Sequence, residues 1–288
     1  MKPAARVGDN HECKVHGAGP VSPPCSINVL TNNFPQARAT DQLACPGTPP
    51  LVDFIVTGSG TVLVNKLPAA RQTDKTMHPP PGSIMVGSPN VLIGGPTVGA
   101  TLGNPGSGDA ACFTAATGRK SQDTFQSASN CGVEAARQII NQTPGVNVSE
   151  NALLDHAINN GFADNAPLWP DRGGARPSQL EALLTDRGVH SSRQPQTMGN
   201  IIQAVAEGRG VITSNDVALL WGPPNTGGHA VLVTGIEFDA NGNPQTVIVN
   251  DTAKHADGIN CGRSYPAATF KNSFLPGNRI VVTNNPIW

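Results

Sequence analysis

Three copies of one phrase open the chain, and a repeat this short leaves few folds available. PAARVGDNHEC begins at Pro3, PQARATDQLAC at Pro35 and PAARQTDKTMH at Pro68. A second phrase runs alongside as Ser26-Ile-Asn-Val-Leu30, Ser59-Gly-Thr-Val-Leu63 and Ser88-Pro-Asn-Val-Leu92. Each copy reads as a short strand pair with Gly, Pro and Asn turns, too small to bury a face alone, so the three must pack on one another. The expected product is a compact all-β structure with three-fold pseudo-symmetry over residues 1–95.

Cys13, Cys45 and His78 each fall ten residues after the opening proline of their copy. Equivalent positions of such a repeat converge, so two thiolates and an imidazole are expected to meet at one point. Soft sulfur and imidazole ligands favour zinc, and a structural zinc takes four ligands in a tetrahedron. His11, two residues before Cys13, is the nearest fourth ligand in sequence; His16 is its rival and Cys25 a weaker one. A core this small also needs a staple.

These residues resemble the PAAR-repeat family, whose name is written in Pro3-Ala4-Ala5-Arg6 and again in Pro68-Ala69-Ala70-Arg71. The middle copy departs from the pattern, with Gln36 and Thr40 where the family usually has Ala and Gly. The resemblance implies a zinc-tipped PAAR cone that sits on the trimeric spike of the type VI secretion apparatus, with a toxic cargo attached behind it.

Pro96 to Lys120 has no sustained periodicity and reads as a linker, in which Cys112 is given no more than a small apolar contact. From Ser121 to Trp288 the pattern becomes helices followed by strands, an α+β domain with a largely antiparallel sheet. A polar loop runs into Asn130, Cys131 and Gly132, after which Val133, Ala136, Ile139 and Ile140 recur at helical spacing. Further helices are predicted over Ser149–Asn160, from Pro177 to Gly188 and over Thr197–Glu207. Strands follow at 210–213, 229–236, 246–249 and 279–283, with a hairpin turn at 239–243.

A cysteine at a helix start is favoured as thiolate by the unpaired N–H groups of the first turn. His229 opens one strand and Asp251 follows the next. If the two strands form a hairpin they are neighbours, and the carboxylate can hold the imidazole by one nitrogen and leave the other for the thiol. Cys131, His229 and Asp251 are therefore the expected triad. His255 and Cys261 read as loop residues, and solvated or capping roles suffice for His156 and His190. Trp169 and Trp221 could line a cleft or belong to the core.

The order and spacing of these motifs are similar to the papain-like superfamily, above all its bacteriocin-processing peptidases. That resemblance implies Cys131 as nucleophile, His229 as base and then acid, Asp251 as orienter, and Gln126 as side-chain donor to the oxyanion, with Gln122 or a backbone N–H as the alternative. The family glutamine sits six residues before the cysteine, whereas Gln126 sits five before.

A formal net charge of -1 gives no reason to expect nucleic acid. No run approaches the roughly 18 to 20 apolar residues of a membrane span, and the N-terminus lacks the apolar core of a signal peptide. The expectation is a protein made in the cytoplasm and secreted by type VI secretion into a target bacterial cell. There a papain-like cysteine protease would hydrolyse amide bonds in target-cell proteins, with a cognate immunity protein guarding the producer. The same chemistry would serve a peptidoglycan amidase or a glutamine deamidase. The non-enzymatic rival is a spike tip whose C-terminal domain only binds a partner.

Overall fold

The computed structural model describes residues 1–47, 51–105, 129–168, 171–253 and 261–288. The chain divides into two compact units, Met1–Leu102 with Ile236–Gln245, and Gly103–Gly235 with Thr246–Trp288.

The first unit is built from strands of two to four residues, and the same hydrogen bonds recur in each copy of its repeat. Ala5 N–H donates to the Ala70 carbonyl, Ala37 N–H to that of Ala5 and Ala70 N–H to that of Ala37, at 3.0, 2.9 and 2.9 Å. The three bonds form a closed cycle, and the three alanines share a small core with Val21, Leu43, Ile55 and Ile84. Hairpins at 30–35 and 63–68 turn on Asn32-Asn33 and Asn65-Lys66, all four at positive φ, the signature of a two-residue type I′ loop. The third copy has no such loop. Its Leu92–Ile93 pairs instead with Lys2–Pro3, so the last repeat is completed by the first residues of the chain.

Each copy also carries an Arg-x-x-Asp turn in which the aspartate N–H donates to the arginine carbonyl and the guanidinium returns to the carboxylate, at 2.9, 2.8 and 3.0 Å for Arg6–Asp9, Arg38–Asp41 and Arg71–Asp74. The third position of the turn is left-handed in all three: Gly8 at φ 86°, Thr40 at 77° and Thr73 at 71°. A type II turn asks for glycine there. The departure at Thr40 noted in the sequence is thus made twice, with a β-branched residue in the left-handed region each time.

In the second unit the helices are α1 (Cys131–Ile140), α2 (Glu150–Asn159), α3 (Pro177–Asp186), α4 (Met198–Ala206), α5 (Val217–Leu220) and α6 (Ala267–Asn272). The sheet strands, in chain order, are β1 (Thr101–Gly103), β2 (Ser191–Pro195), β3 (Arg209–Asp216), β4 (Gly228–Phe238), β5 (Pro244–Asn250), β6 (Arg263–Pro266) and β7 (Arg279–Pro286). Six of them lie in the order β2-β7-β3-β4-β5-β6, and β1 pairs with β4. The registered pairs β2–β7, β3–β4, β3–β7 and β5–β6 are all antiparallel, as helices followed by strands led one to expect. Val133, Ala136, Ile139 and Ile140 of α1 are fully buried against Ile212, Leu232 and Val281 of the sheet.

Some short elements escape periodicity. β2 is Ser-Ser-Arg-Gln-Pro, a polar edge strand without alternation, and β6 and α6 are too brief to show a repeat. The segment read as a linker opens with strands, Thr97–Gly99 on Thr57–Ser59 and then β1. Its residues 106–120, Cys112 among them, lie outside the described residues.

Thr73 is exposed, and only its backbone holds it in the left-handed region. Thr73→Gly should raise the unfolding midpoint by the equivalent of about 0.5 to 1 kcal/mol, the relief of a left-handed L-residue less the backbone entropy of glycine. A midpoint unchanged or lowered in thermal denaturation would remove this account of the turn.

Candidate functional site

Cys131 is the first residue of α1, half-buried, behind an N-cap, Asn130, whose side chain makes no capping bond. The Asn130 amide donates instead to the buried Glu150 carboxylate at 3.1 Å, tying the start of α1 to the start of α2. His229 is the second residue of β4, and Asp251 immediately follows β5. Because β4 and β5 are consecutive neighbours in the sheet, the start of one meets the end of the other. His229 Nε2 lies 2.8 Å from Asp251 Oδ1, and the Ala230 N–H lies 3.3 Å from Cys131 Sγ. The histidine lies close enough to the cysteine to act on its charge. With Nε2 occupied by Asp251, Nδ1 is the nitrogen that remains for the sulfur.

Burial pushes the Cys131 thiol up, but His229, with the N–H groups of Ala230 and Gly132, outweighs it and holds the thiol below its ordinary value. Burial likewise lowers His229, but Asp251 and Cys131 prevail and raise it to about 10. The two shifts are opposite faces of one interaction. Each shift favours the charged form of its group, thiolate on Cys131 and imidazolium on His229.

Asp251 has further partners that the sequence did not point to. The Tyr265 hydroxyl donates to Oδ2 at 2.9 Å, and the Ala253 N–H to Oδ1 at 3.0 Å. Trp221 packs on the His229 ring with centroids 4.8 Å apart and donates its indole N–H to the Tyr265 hydroxyl at 2.9 Å. The buried Asn250 amide donates to Gln138 on α1 at 2.9 Å, joining the helix of the cysteine to the strand of the aspartate. Gln138 sits seven residues after Cys131, a spacing that returns to the same helix face, which was the one available signal.

Gln126, Gln122, Trp169 and His255 lie outside the described residues. Cys261 is disulfide-bonded, where the sequence suggested a plain loop residue. His156 pairs with Asp186 at 2.6 Å on the surface.

In the first unit the expected convergence of Cys13, Cys45 and His78 is found, with a different fourth member. His16 Nδ1 lies 3.4 Å from Cys13 Sγ and 3.2 Å from Cys45 Sγ, while His78 Nδ1 lies 3.5 and 3.4 Å from the same sulfurs. All four donor atoms fall within 4.8 Å of one another. A tetrahedral ion with bonds of about 2.3 Å to sulfur and 2.0–2.1 Å to nitrogen would set S···N at about 3.6 Å, so the donors fit such an ion.

His11 does not join them. It shares a strand face with Cys13 but stands one pleat back, about 6.6 Å along the strand. There its Nδ1 meets the Gly19 carbonyl at 2.7 Å and its Nε2 lies 3.6 Å from Asp53. His16 reaches the sulfurs because the hairpin that starts at Cys13 turns through it. Cys25 is likewise absent from the group. It lies in the apolar core, where burial and then Asp41 push its thiol up to about 12.

A cysteine, histidine and aspartate gathered on an α+β framework are the equipment of cysteine peptidases as a class. The chain belongs to the Peptidase_C39 like family, which it matches over residues 119–279. It also carries a PAAR motif over residues 14–79. A crystal structure from Bacillus anthracis described as a C39-like peptidase is similar over 54% of this chain and 88% of that one, at 14% identity and a TM-score of 0.39. No curated protein matches the chain. Among the described residues no helix is long and apolar enough to cross a membrane.

The lowered thiol predicts that iodoacetamide alkylates Cys131 well below the pH at which a free cysteine reacts, about 8.5. In His229→Ala the midpoint should rise, since burial is then opposed only by the N–H groups of Ala230 and Gly132. Mass spectrometry of the Cys131 peptide after timed labelling measures both, and identical profiles would show that no ion pair exists.

Proposed function

We propose that the chain is a type VI secretion effector: a PAAR cone that rides on the spike, carrying a cysteine peptidase that hydrolyses amide bonds in proteins of a competing cell. The observation that carries the enzymatic part is the His229–Asp251 pair beside Cys131, with the thiol lowered and the imidazole raised. The Cys131 thiolate attacks the carbonyl carbon. The oxyanion is received by the N–H groups at the start of α1 together with Gln126, or Gln122 in its place. His229 passes its proton to the leaving amine, which departs and leaves a thioester on Cys131. The imidazole then takes a proton from water, hydroxide adds to the thioester, and the acid leaves as the thiolate re-forms. Asp251 keeps the ring in the orientation that serves both transfers.

The secretory part rests on the repeat. The cycle of Ala5, Ala37 and Ala70 and the equivalent turns support a three-fold pseudo-symmetric cone over residues 1–95, with 96–120 as linker and 121–288 as the peptidase domain. Equivalent leucines stand out from the cone, Leu30, Leu63 and Leu92, at 57%, 60% and 51% exposure. Three matching apolar positions suit a trimeric spike protein. Cys13, His16, Cys45 and His78 would hold a structural zinc, which when bound cross-links three copies of the repeat and neutralises two thiolates. A toxin of this kind needs a cognate immunity protein in the cell that makes it.

Elemental analysis of the purified full chain should find about one zinc per molecule, lost in His16→Ala and kept in a variant altered at His11 that still folds. Zinc that depends on His11 and ignores His16 would overturn the ligand set. For the activity, the full chain and Cys131→Ala are expressed in the cytosol of a susceptible bacterium and, with an export signal, in its periplasm, and survivors are counted. Killing from the cytosol that disappears in Cys131→Ala is the expected result. Killing only from the periplasm would mark a peptidoglycan amidase, and killing that survives the substitution would sink the enzymatic reading.

A further inference from the structure

The Tyr265 hydroxyl sits at the centre of a network whose proton directions are settled by counting. Trp221 Nε1–H lies 2.9 Å from it and Arg263 Nε–H 3.0 Å, and both groups can only donate. They take up both lone pairs of the phenol oxygen. Its one proton is left for the third neighbour, Asp251 Oδ2 at 2.9 Å. The phenol keeps that proton, because burial and then the Asp251 charge raise it above its usual range. The register explains the reach: Tyr265 pairs with Val247 and Arg263 with Val249 on β5, so both side chains stand beside the strand end that carries Asp251.

The geometry points to Tyr265 as a positioning residue for the reaction, one that acts on Cys131 without touching it. It holds Asp251 from the side opposite His229, so that the carboxylate presents Oδ1 to Nε2 and cannot turn away. It also anchors Trp221, whose ring lies against the imidazole at 4.8 Å and 56°. One hydroxyl thereby restrains both the carboxylate behind the imidazole and the indole on its face. An imidazolium so restrained keeps its charge, and the charge keeps the sulfur ionised.

This inference rests on the proposed Cys131–His229–Asp251 chemistry, and its test needs no substrate. The rate of iodoacetamide labelling at Cys131 is followed against pH in the full chain, in Tyr265→Phe and in Trp221→Phe, with thermal unfolding recorded for each. Tyr265→Phe should move the thiolate midpoint up by about half to one pH unit, a three- to tenfold loss of labelling rate on the acid side of the midpoint. Trp221→Phe keeps a ring on His229 but drops the N–H, and should shift the midpoint the same way by less. A folded Tyr265→Phe whose midpoint is unchanged or lower overturns the inference and leaves the catalytic reading standing. If Tyr265→Phe does not fold, Trp221→Phe decides, and an unshifted midpoint there has the same meaning. A wild-type midpoint at the free-thiol value would instead bring down the catalytic reading itself.

Discussion

Asp251 has no exposure to solvent, so its charge has to be met from within the protein. His229 meets it on Oδ1, the Ala253 N–H shares that oxygen, and Tyr265 meets Oδ2. Much of the second unit can be read outward from this requirement. β4 and β5 must run as neighbours for the histidine and the carboxylate to touch, β6 must lie on β5 to bring Tyr265, and α1 must pack on the sheet to bring Cys131 to the imidazole. The Gln138–Asn250 bond then ties that helix to the strand of the aspartate. Loss of the carboxylate would leave the buried imidazole without the charge that raises it.

The first unit answers a different constraint. Strands of two to four residues cannot bury a face, so stability has to come from closure. Closure is visible at three levels: the cycle of alanine backbone bonds, the serine hydroxyls that receive the N–H three residues on in each copy, and the pairing of the last repeat with the first residues of the chain. The four-donor cluster adds a fourth tie when an ion is present. Arg71 differs from Arg6 and Arg38 in being fully buried, because the chain leaving the repeat lays the Gly94 and Gly95 carbonyls over its guanidinium.

The site was legible in part because its chemistry is local. A cysteine behind a polar loop and ahead of an apolar helix, and a histidine and an aspartate at facing ends of two strands, can be found by period and order alone. Tyr265 could not be found that way, and Trp221 only as a residue of a cleft or of the core, since they are 14 residues after Asp251 and eight before His229, and no periodicity links them to either. Their roles follow from side-chain reach across a sheet.

What the sequence by itself determined is the division into a repeated β unit and an α+β unit, the helical start at Cys131, and the meeting of Cys13, Cys45 and His78. All of these follow from spacing, which the backbone converts into position through fixed rises per residue. Tertiary structure alone decided the fourth donor and the contacts of Tyr265 and Trp221 with Asp251 and His229. His11 and His16 both stand close to Cys13 for a reader of spacings, two residues before it and three after, and the nearer is the one left out. Strand pleating carries the first away from the sulfurs and a hairpin turn carries the second onto them. That choice depends on where the turn falls in three dimensions, which no count along the chain contains.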